Sequence, residues 1–303
     1  MRKVKWGVLG AANIAVKKVI PAMHGSEWSE VVKVASLRES ADAYDALLAD
    51  PQIEAIYNPL PNQLHVPWTI RAAEAGKHVL CEKPIGLNAA EVESLIAVRD
   101  RTGVNIGEAF MTHVHPQWLR ARELVRQKAI GDLKLVTCVF SYFNRQAENI
   151  RNQSEMGGGG LMDIGCYPIT MSRFLFGSEP VRVAGMLELD PEFGVDRLTS
   201  GMLEFTGGQC VFSCSTQMSP YQRVLIFGTT GRIEIEIPFN APPDQPTRIL
   251  VNDQVEEFPV CDQYALQADA FSRAVCGEGD VPVPLEDALQ NMRVIEQVRM
   301  QRG

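Results

Sequence analysis

The first 110 residues alternate between continuous apolar runs and helical apolar spacing, and this alternation restricts the fold more than any other feature. Residues 4–9 (VKWGVL) read as a short buried strand, and Gly10-Ala11-Ala12-Asn13-Ile14-Ala15 turns directly into an apolar-periodic helix ending near Met23. Strand-like runs follow at 31–37, 53–58, 78–83 and 105–110. Helical patterns lie between them at about 41–50, 64–75 and 88–101, with Asn88 as a candidate N-cap and Gly76 as a stop. Such a succession specifies a parallel sheet covered on both faces, with ligands bound beyond the carboxyl ends of its strands. Only a few residues separate Leu37 from Ala41, so one helix and one strand of a full doubly wound sheet are missing. In the strand order 3-2-1-4-5-6 the missing strand is an edge, and the remaining crossover still reaches the fourth strand with the usual hand.

Beyond a helix carrying Gln117, Leu119, Leu124 and Val125 the pattern changes. Segments 133–143, 181–190, 197–206, 209–216, 222–228 and 231–237 read as strands, separated by hairpin signals such as Gly207-Gly208 and Thr230-Gly231. Helices at about 263–276 and 285–300 follow, the second with Leu285, Leu289, Met292, Ile295 and Val298 on one stripe. The expected architecture is α/β plus α+β. Residues 1–112 form a Rossmann-like dinucleotide-binding domain shortened by one edge strand and helix; residues 113–303 form a mainly antiparallel, open-faced sheet domain for substrate binding and oligomerisation. A length of 303 residues agrees with two domains.

A net charge of -8 with no clustered Lys and Arg argues against a nucleic-acid partner. Seven scattered cysteines without a CxxC pair argue against a disulfide framework or a zinc knuckle and place the chain in a reducing cytoplasm. No stretch approaches the roughly 20 apolar residues of a membrane span. Arg2, Lys3 and Lys5 precede an apolar run, but Lys17 and Lys18 cut it too short for a secretory signal. Neither a GxSxG elbow nor a metalloprotease helix motif is present, which removes the common hydrolase classes.

Gly10 supplies a tight turn after the first strand, and the amides of Ala11, Ala12, Asn13 and Ile14 can face a pyrophosphate at the positive end of a helix, although alanines stand where further glycines are usual. At the end of the second strand, Ser36 and Arg38 replace the acid that holds ribose hydroxyls in NAD enzymes, and they suit a 2′-phosphate better; Glu39 beside them is equally compatible with a solvated loop. The expected cofactor is NADP, with NAD as the second possibility. The strand HVLC feeds into Glu82-Lys83-Pro84 and sets a lysine at the carboxyl edge of the sheet. A lone loop lysine is ordinarily solvated, but one preceding proline is held extended, out of the next helix. In GGGGLMDIGCYP, Asp163 and Tyr167 stand four residues apart, on one face of any helix starting there. The four glycines at 157–160 permit close approach of backbone to a ligand; equally, Asp163 is the N-terminal cap of a helix after a flexible loop.

The segments GVLGAANIA, AIYNPLPNQLHVPWTIRAAEAGKHVLCEKPIGLNAAE, EAFM, HPQW and GGGGLMDIGCYPI resemble the Gfo/Idh/MocA oxidoreductase family over nearly the whole chain. The tyrosine ending DIGCY is similar to the branch of glucose-fructose oxidoreductase, NADP-dependent D-xylose dehydrogenase and dimeric dihydrodiol dehydrogenase. The resemblance implies an NADP-dependent enzyme that moves a hydride between nicotinamide and a sugar or vicinal-diol carbon. It implies Lys83 and Tyr167 as the proton-handling pair meeting across one crevice, with Asp163 positioning substrate. Pro59, Leu60, Asn62, His65 and Glu82 then line the nicotinamide pocket, and Arg145, Asn149 and Arg151 are candidate contacts for substrate hydroxyls. A phenol of reference pKa about 10 needs help to take a proton near neutrality, which a neighbouring ammonium provides.

Three departures stand out. The segment after Arg38 is short, which leaves a cofactor-impaired binding protein as the alternative. Gln63 replaces a commoner histidine, and His113 replaces a frequent arginine. His113 and His115 lack a carboxylate or thiol to complete a metal site, so no metal is assigned. An exposed face of the second sheet, with Val211, Val224 and Ile226 among its apolar positions, makes a homo-oligomer, most simply a dimer, the expected assembly.

Overall fold

The computed structural model describes residues 2–36, 40 and 42–300. They divide into two compact units, Met1–Val114 with Asp262–Leu289, and His115–Cys261 with Gln290–Gly303.

In the first unit, β1 (Val4–Leu9) leads through a widened helical turn at Ala15–Val19 into α1 (Ile20–His24), then β2 (Ser29–Ala35), α2 (Ala43–Leu48), β3 (Ala55–Asn58), α3 (Asn62–Glu74), β4 (His78–Glu82), α4 (Ala89–Thr102) and β5 (Ile106–Ala109). The five strands are parallel, in the order β2-β1-β3-β4-β5. Among the described residues this is the doubly wound sheet without its outermost strand, in keeping with the short connection after the second strand. Strands covered on both faces read as unbroken apolar runs, and β3 and β5 are buried at every position. At the opposite edge, among the described residues, β2 pairs with β1 alone, and Val32 and Val34 are exposed on it. Asn88 caps α4 as expected: its Oδ1 accepts from the Glu91 amide at 2.9 Å while Glu91 Oε2 accepts from the Leu87 amide at 2.8 Å.

The second unit opens with α5 (Pro116–Arg126) and β6 (Leu133–Phe143), followed by α6 (Cys166–Phe176). Then come β7 (Arg182–Leu189), β8 (Asp196–Phe205), β9 (Gly208–Ser215), β10 (Gln217–Gly228), β11 (Arg232–Ile235), β12 (Thr247–Val251) and β13 (Gln254–Phe258). They form one sheet, β13-β12-β11-β10-β6-β9-β8-β7, antiparallel except where β6 lies parallel to β9. The sequence reading omits β12 and β13. One face is packed: Val136, Cys138, Phe140, Phe212, Val224 and Ile226 are buried on it. Val224 and Ile226 are thus core residues, contrary to the expectation that they are available for subunit contact. Because side chains alternate along β10, it is Arg223, Leu225 and Phe227 that point to the other face. Val211 does lie there, 38% exposed.

Two helices end the chain, α7 (Gln263–Val275) and α8 (Leu285–Met300). The expected single division at residue 112 differs from the observed one, because α7 returns to the first sheet. Phe271 packs 5.6 Å from Trp6, centroid to centroid, and the Trp6 indole N–H donates to Ser272 Oγ at 3.1 Å. Ala268 and Phe271 share one buried cluster with Val4, Val8, Tyr57 and Leu80. Without α7 the large apolar surface of Trp6 and Tyr57 would face water, at roughly 25 cal/mol per Å² of area exposed. Among the described residues no helix is long and apolar enough to cross a membrane.

Candidate functional site

The strand order of the first unit decides where its candidate residues fall. Since all five strands run the same way, Ser36, the Gly10 turn, Pro59-Leu60 and Glu82-Lys83 stand at the carboxyl ends of β2, β1, β3 and β4, and so lie in that sequence along one edge of the sheet. Arg38 lies outside the described residues.

Gly10 has φ +80°, and a Cβ there would stand 3.1 Å from Leu60 Cδ2 and from Tyr44 Oη, so only glycine fits. Its amide donates to Ala35 O at 2.7 Å, which fastens the turn to β2. Ala11 and Asn13 are exposed, Ala12 and Ile14 half-buried, and helical backbone begins at Asn13. A bare turn opening onto the positive end of a helix fits the pyrophosphate of a dinucleotide.

Beside it, a hydrogen-bond network ties the turn after β3 to the loop after β4. Asn58 Oδ1 accepts from the Leu60 amide at 3.3 Å, and its Nδ2 donates to His65 O at 3.0 Å. The His65 ring, 1% exposed, lies between Leu60 O (2.6 Å from Nε2) and Pro84 O (2.8 Å from Nδ1). Burial, against the pull of the two carbonyls and with a smaller contribution from the Lys83 charge, holds its pKa down to about 4. Glu82 Oε1 accepts from the Tyr57 hydroxyl at 2.6 Å, and Oε2 from the Lys83 amide at 3.3 Å. Burial, then the Glu82 charge, pushes the Tyr57 phenol far above its usual range, and the same two causes raise Tyr264, so both stay protonated. Lys83 is half-buried, its peptide bond to Pro84 is cis, and Asn62 is half-buried at the start of α3.

In the second unit, Asp163 lies in a widened helical turn (Leu161–Gly165) that continues into α6, and Tyr167 is on the first turn of that helix. Asp163 is not the cap of this helix. The first amide of the turn is taken instead by Asp196, 5% exposed, whose Oδ2 accepts from the Leu161 amide at 2.7 Å and from Thr199 Oγ1 at 2.8 Å. The glycine run serves that contact: Gly159 has φ +113°, and a Cβ on it would sit 2.2 Å from Asp196 Oδ1. What the backbone approaches here is a carboxylate of the protein itself.

Asp163 turns its carboxylate elsewhere. Its Oδ2 accepts from Tyr142 Oη at 2.6 Å and pairs with Arg151 Nε at 2.8 Å. Tyr167 is 6% exposed, its ring 5.2 Å from Phe239 and 5.9 Å from Phe140. The structure thus brings Arg151 to Asp163 but not Arg145, which pairs with Glu192 at 2.8 Å and approaches Asp190 at 3.9 Å. Asn149 caps the short turn Ile150–Asn152 through the Arg151 amide at 3.1 Å. His115 has its Nε2 3.6 Å from Cys261 Sγ, and among the described residues no group of three or more potential ligands surrounds a metal position. Tyr142 and Asp196 are the residues that sequence reasoning misses.

Comparison with known proteins matches residues 4–110 to an oxidoreductase family with an NAD-binding Rossmann fold and residues 118–234 to the GFO/IDH/MocA C-terminal domain. An uncharacterised oxidoreductase of Rhizobium meliloti is 43% identical, over 99% of this chain and 97% of its own. An NADP(+)-dependent D-xylose 1-dehydrogenase of Haloferax volcanii is 36% identical, over 97% of this chain and 95% of its own. Among solved structures, a 3-ketoreductase from Actinomadura kijaniata in complex with NADP and TDP-benzene superposes with a TM-score of 0.89 at 28% identity, covering 99% of this chain and 98% of that one.

Proposed function

Because this chain belongs to the Gfo/Idh/MocA family of NAD(P)-binding oxidoreductases, we propose that it is an NADP-dependent enzyme that moves a hydride between nicotinamide and a sugar or vicinal-diol carbon. The observation that carries this reading is the placement of Ser36, the bare Gly10 turn, Leu60 and Glu82-Lys83 along the carboxyl edge of one parallel sheet. A bound nicotinamide supplies or accepts the hydride. The protein's task is the proton: the substrate hydroxyl loses it as hydride leaves carbon, or gains it in the reverse direction. Tyr167 exchanges that proton, and the Lys83 ammonium favours its phenolate. Glu82, held by the Tyr57 hydroxyl, keeps a negative charge beside Lys83 and so favours the ammonium. Asp163 and Arg151 take the substrate hydroxyls. Seven free cysteines fit a cytoplasmic protein, and the outer face of the second sheet fits a homodimer.

The preference for NADP is supported by the relative that uses it and the related structure that contains it. Calorimetric titration with NADP and NAD, followed by absorbance at the nicotinamide band with a panel of aldoses and diols, tests the whole reading. Lys83→Met and Tyr167→Phe are each expected to lower turnover by about 10²- to 10⁴-fold. Failure to bind either nucleotide by a folded protein would leave the cofactor-impaired alternative standing.

A further inference from the structure

Two side chains converge on the same oxygen of Asp163. Tyr142, near the carboxyl end of β6, donates its hydroxyl to Oδ2 at 2.6 Å, and Arg151 brings Nε to that oxygen at 2.8 Å. Both are firmly seated. β6 is an inner strand, with Ser141 in register with Ser215 of β9 and with Tyr221 of β10. The Arg151 backbone is tied to the glycine run: Gly159 N donates to Arg151 O at 2.9 Å, and a Cβ on Gly158 would stand 2.6 Å from that oxygen. The strand therefore holds the carboxylate through Tyr142 and the turn holds it through Arg151, whose backbone the glycine run braces. The Asp163 side chain is 12% exposed, whereas the Arg151 side chain is 42% exposed, so the carboxylate is largely enclosed and the guanidinium remains reachable.

A phenol in this position is suited to one task. Burial, followed by the Asp163 charge, pushes the Tyr142 phenol far above its ordinary range, with Arg151 only partly opposing, so it does not ionise in the working pH range. Its proton is committed to the Asp163 carboxylate. It can fix the rotamer of the carboxylate that it faces.

We propose that Tyr142 is a positioning residue: with Arg151 it fixes the Asp163 carboxylate to accept a hydrogen bond from a substrate hydroxyl neighbouring the reacting carbon, which selects polyhydroxylated substrates over simple alcohols. The proposal rests on the reading of Asp163 as a substrate-orienting residue. Three other groups of these segments do not replace the phenol. Cys166 Sγ donates to the Asp163 backbone carbonyl at 3.6 Å, Cys214 of β9 is a buried thiol whose pKa burial raises, and the Asp196 carboxylate is occupied with Leu161 and Thr199.

Tyr142→Phe removes the hydroxyl and keeps the ring. In steady-state assays with the sugar or diol turned over by the wild type, KM is expected to rise about tenfold with kcat changed by less than about threefold, since one uniformly used hydrogen bond is lost. The acid limb of kcat/KM is expected to move to higher pH, because the charged form of Asp163 loses a donor. A carbon-13 NMR titration of the Asp163 carboxyl needs no turnover and should move the same way. Arg151→Gln, at a half-exposed side chain where folding tolerates change, should shift both readouts in the same direction if Tyr142→Phe proves unstable. An active wild type whose KM and carboxyl titration are untouched in both variants overturns the proposal, as does a loss confined to kcat. A carboxyl titration that shifts in a wild type inert towards every sugar and diol overturns instead the functional reading beneath it.

Discussion

His65 is enclosed between two carbonyl oxygens, and the balance of forces on it fixes how stability responds to acid. A neutral imidazole has one N–H, so it satisfies Leu60 O or Pro84 O but not both, whereas an imidazolium would donate to both. Burial prevails and holds the pKa at about 4, below the ordinary 6.5. Between those two values the unfolded chain binds more protons than the folded one. The contribution of His65 is therefore complete above pH 6.5 and is lost as the pH falls towards 4. Integrated from pH 7 to pH 5, the loss is about 2 kcal/mol. The assay is urea unfolding at the two pH values, followed by tryptophan fluorescence, for the wild type and for His65→Gln, whose amide still donates to one carbonyl. The wild type should lose about 2 kcal/mol more than the variant, a difference in which other titrating groups cancel. Equal losses, or a wild type that gains stability on acidification relative to the variant, would refute the reasoning and identify a doubly donating imidazolium.

Two further outcomes are open to measurement. Gly159 and Gly194 both have positive φ, but only Gly159 has a neighbour where a Cβ would go. Gly159→Ala is thus expected to destabilise the second unit by about 3 kcal/mol or more and Gly194→Ala by about 1 kcal/mol in chemical denaturation, and equal costs would count against the Asp196 contact. On the outer face of the second sheet, Ala184, Met202, Val211, Thr137, Leu225, Glu234, Leu250 and Val255 stand in one cross-strand row, with Met202 44% exposed. Light scattering at micromolar concentration should show a homodimer for the wild type and a folded monomer for Met202→Glu; a monomeric wild type would remove the proposed assembly.

Much of the fold was legible because its elements are periodic. The run LKLVTCVFSYF alternates, and β6 occupies Leu133–Phe143, the span expected from it. Parallel strands such as AIYN are short unbroken apolar runs set between helices, and they too were readable. β12 and β13 were not, because they meet at Asn252-Asp253, where both residues have positive φ without a glycine to mark the turn, and β13 is largely exposed. An Asn-Asp pair is the signal that was there to be used. The return of α7 to the first sheet was hidden for another reason: its partners Trp6 and Ser29 are more than 240 residues away along the chain. The candidate site divides similarly. Gly10, Lys83, Asp163 and Tyr167 stand in local motifs. Tyr142 and Asp196 do not, since they meet Asp163 and Leu161 across 21 and 35 residues, and polar residues on strands carry no periodic mark of such meetings.

The place of α7 in the first unit also governs how the polypeptide can acquire its structure during synthesis. On a ribosome, the nucleotide-binding sheet emerges early, yet its central tryptophan stays uncovered while the entire stretch from His115 to Cys261 is made. The second unit in turn draws on residues from Gln290 onwards, so neither unit is complete until α7 and the segment after it have been made. Nascent chains of this protein must therefore carry an incomplete Rossmann sheet with an apolar face for most of their translation, a window in which chaperones can engage it.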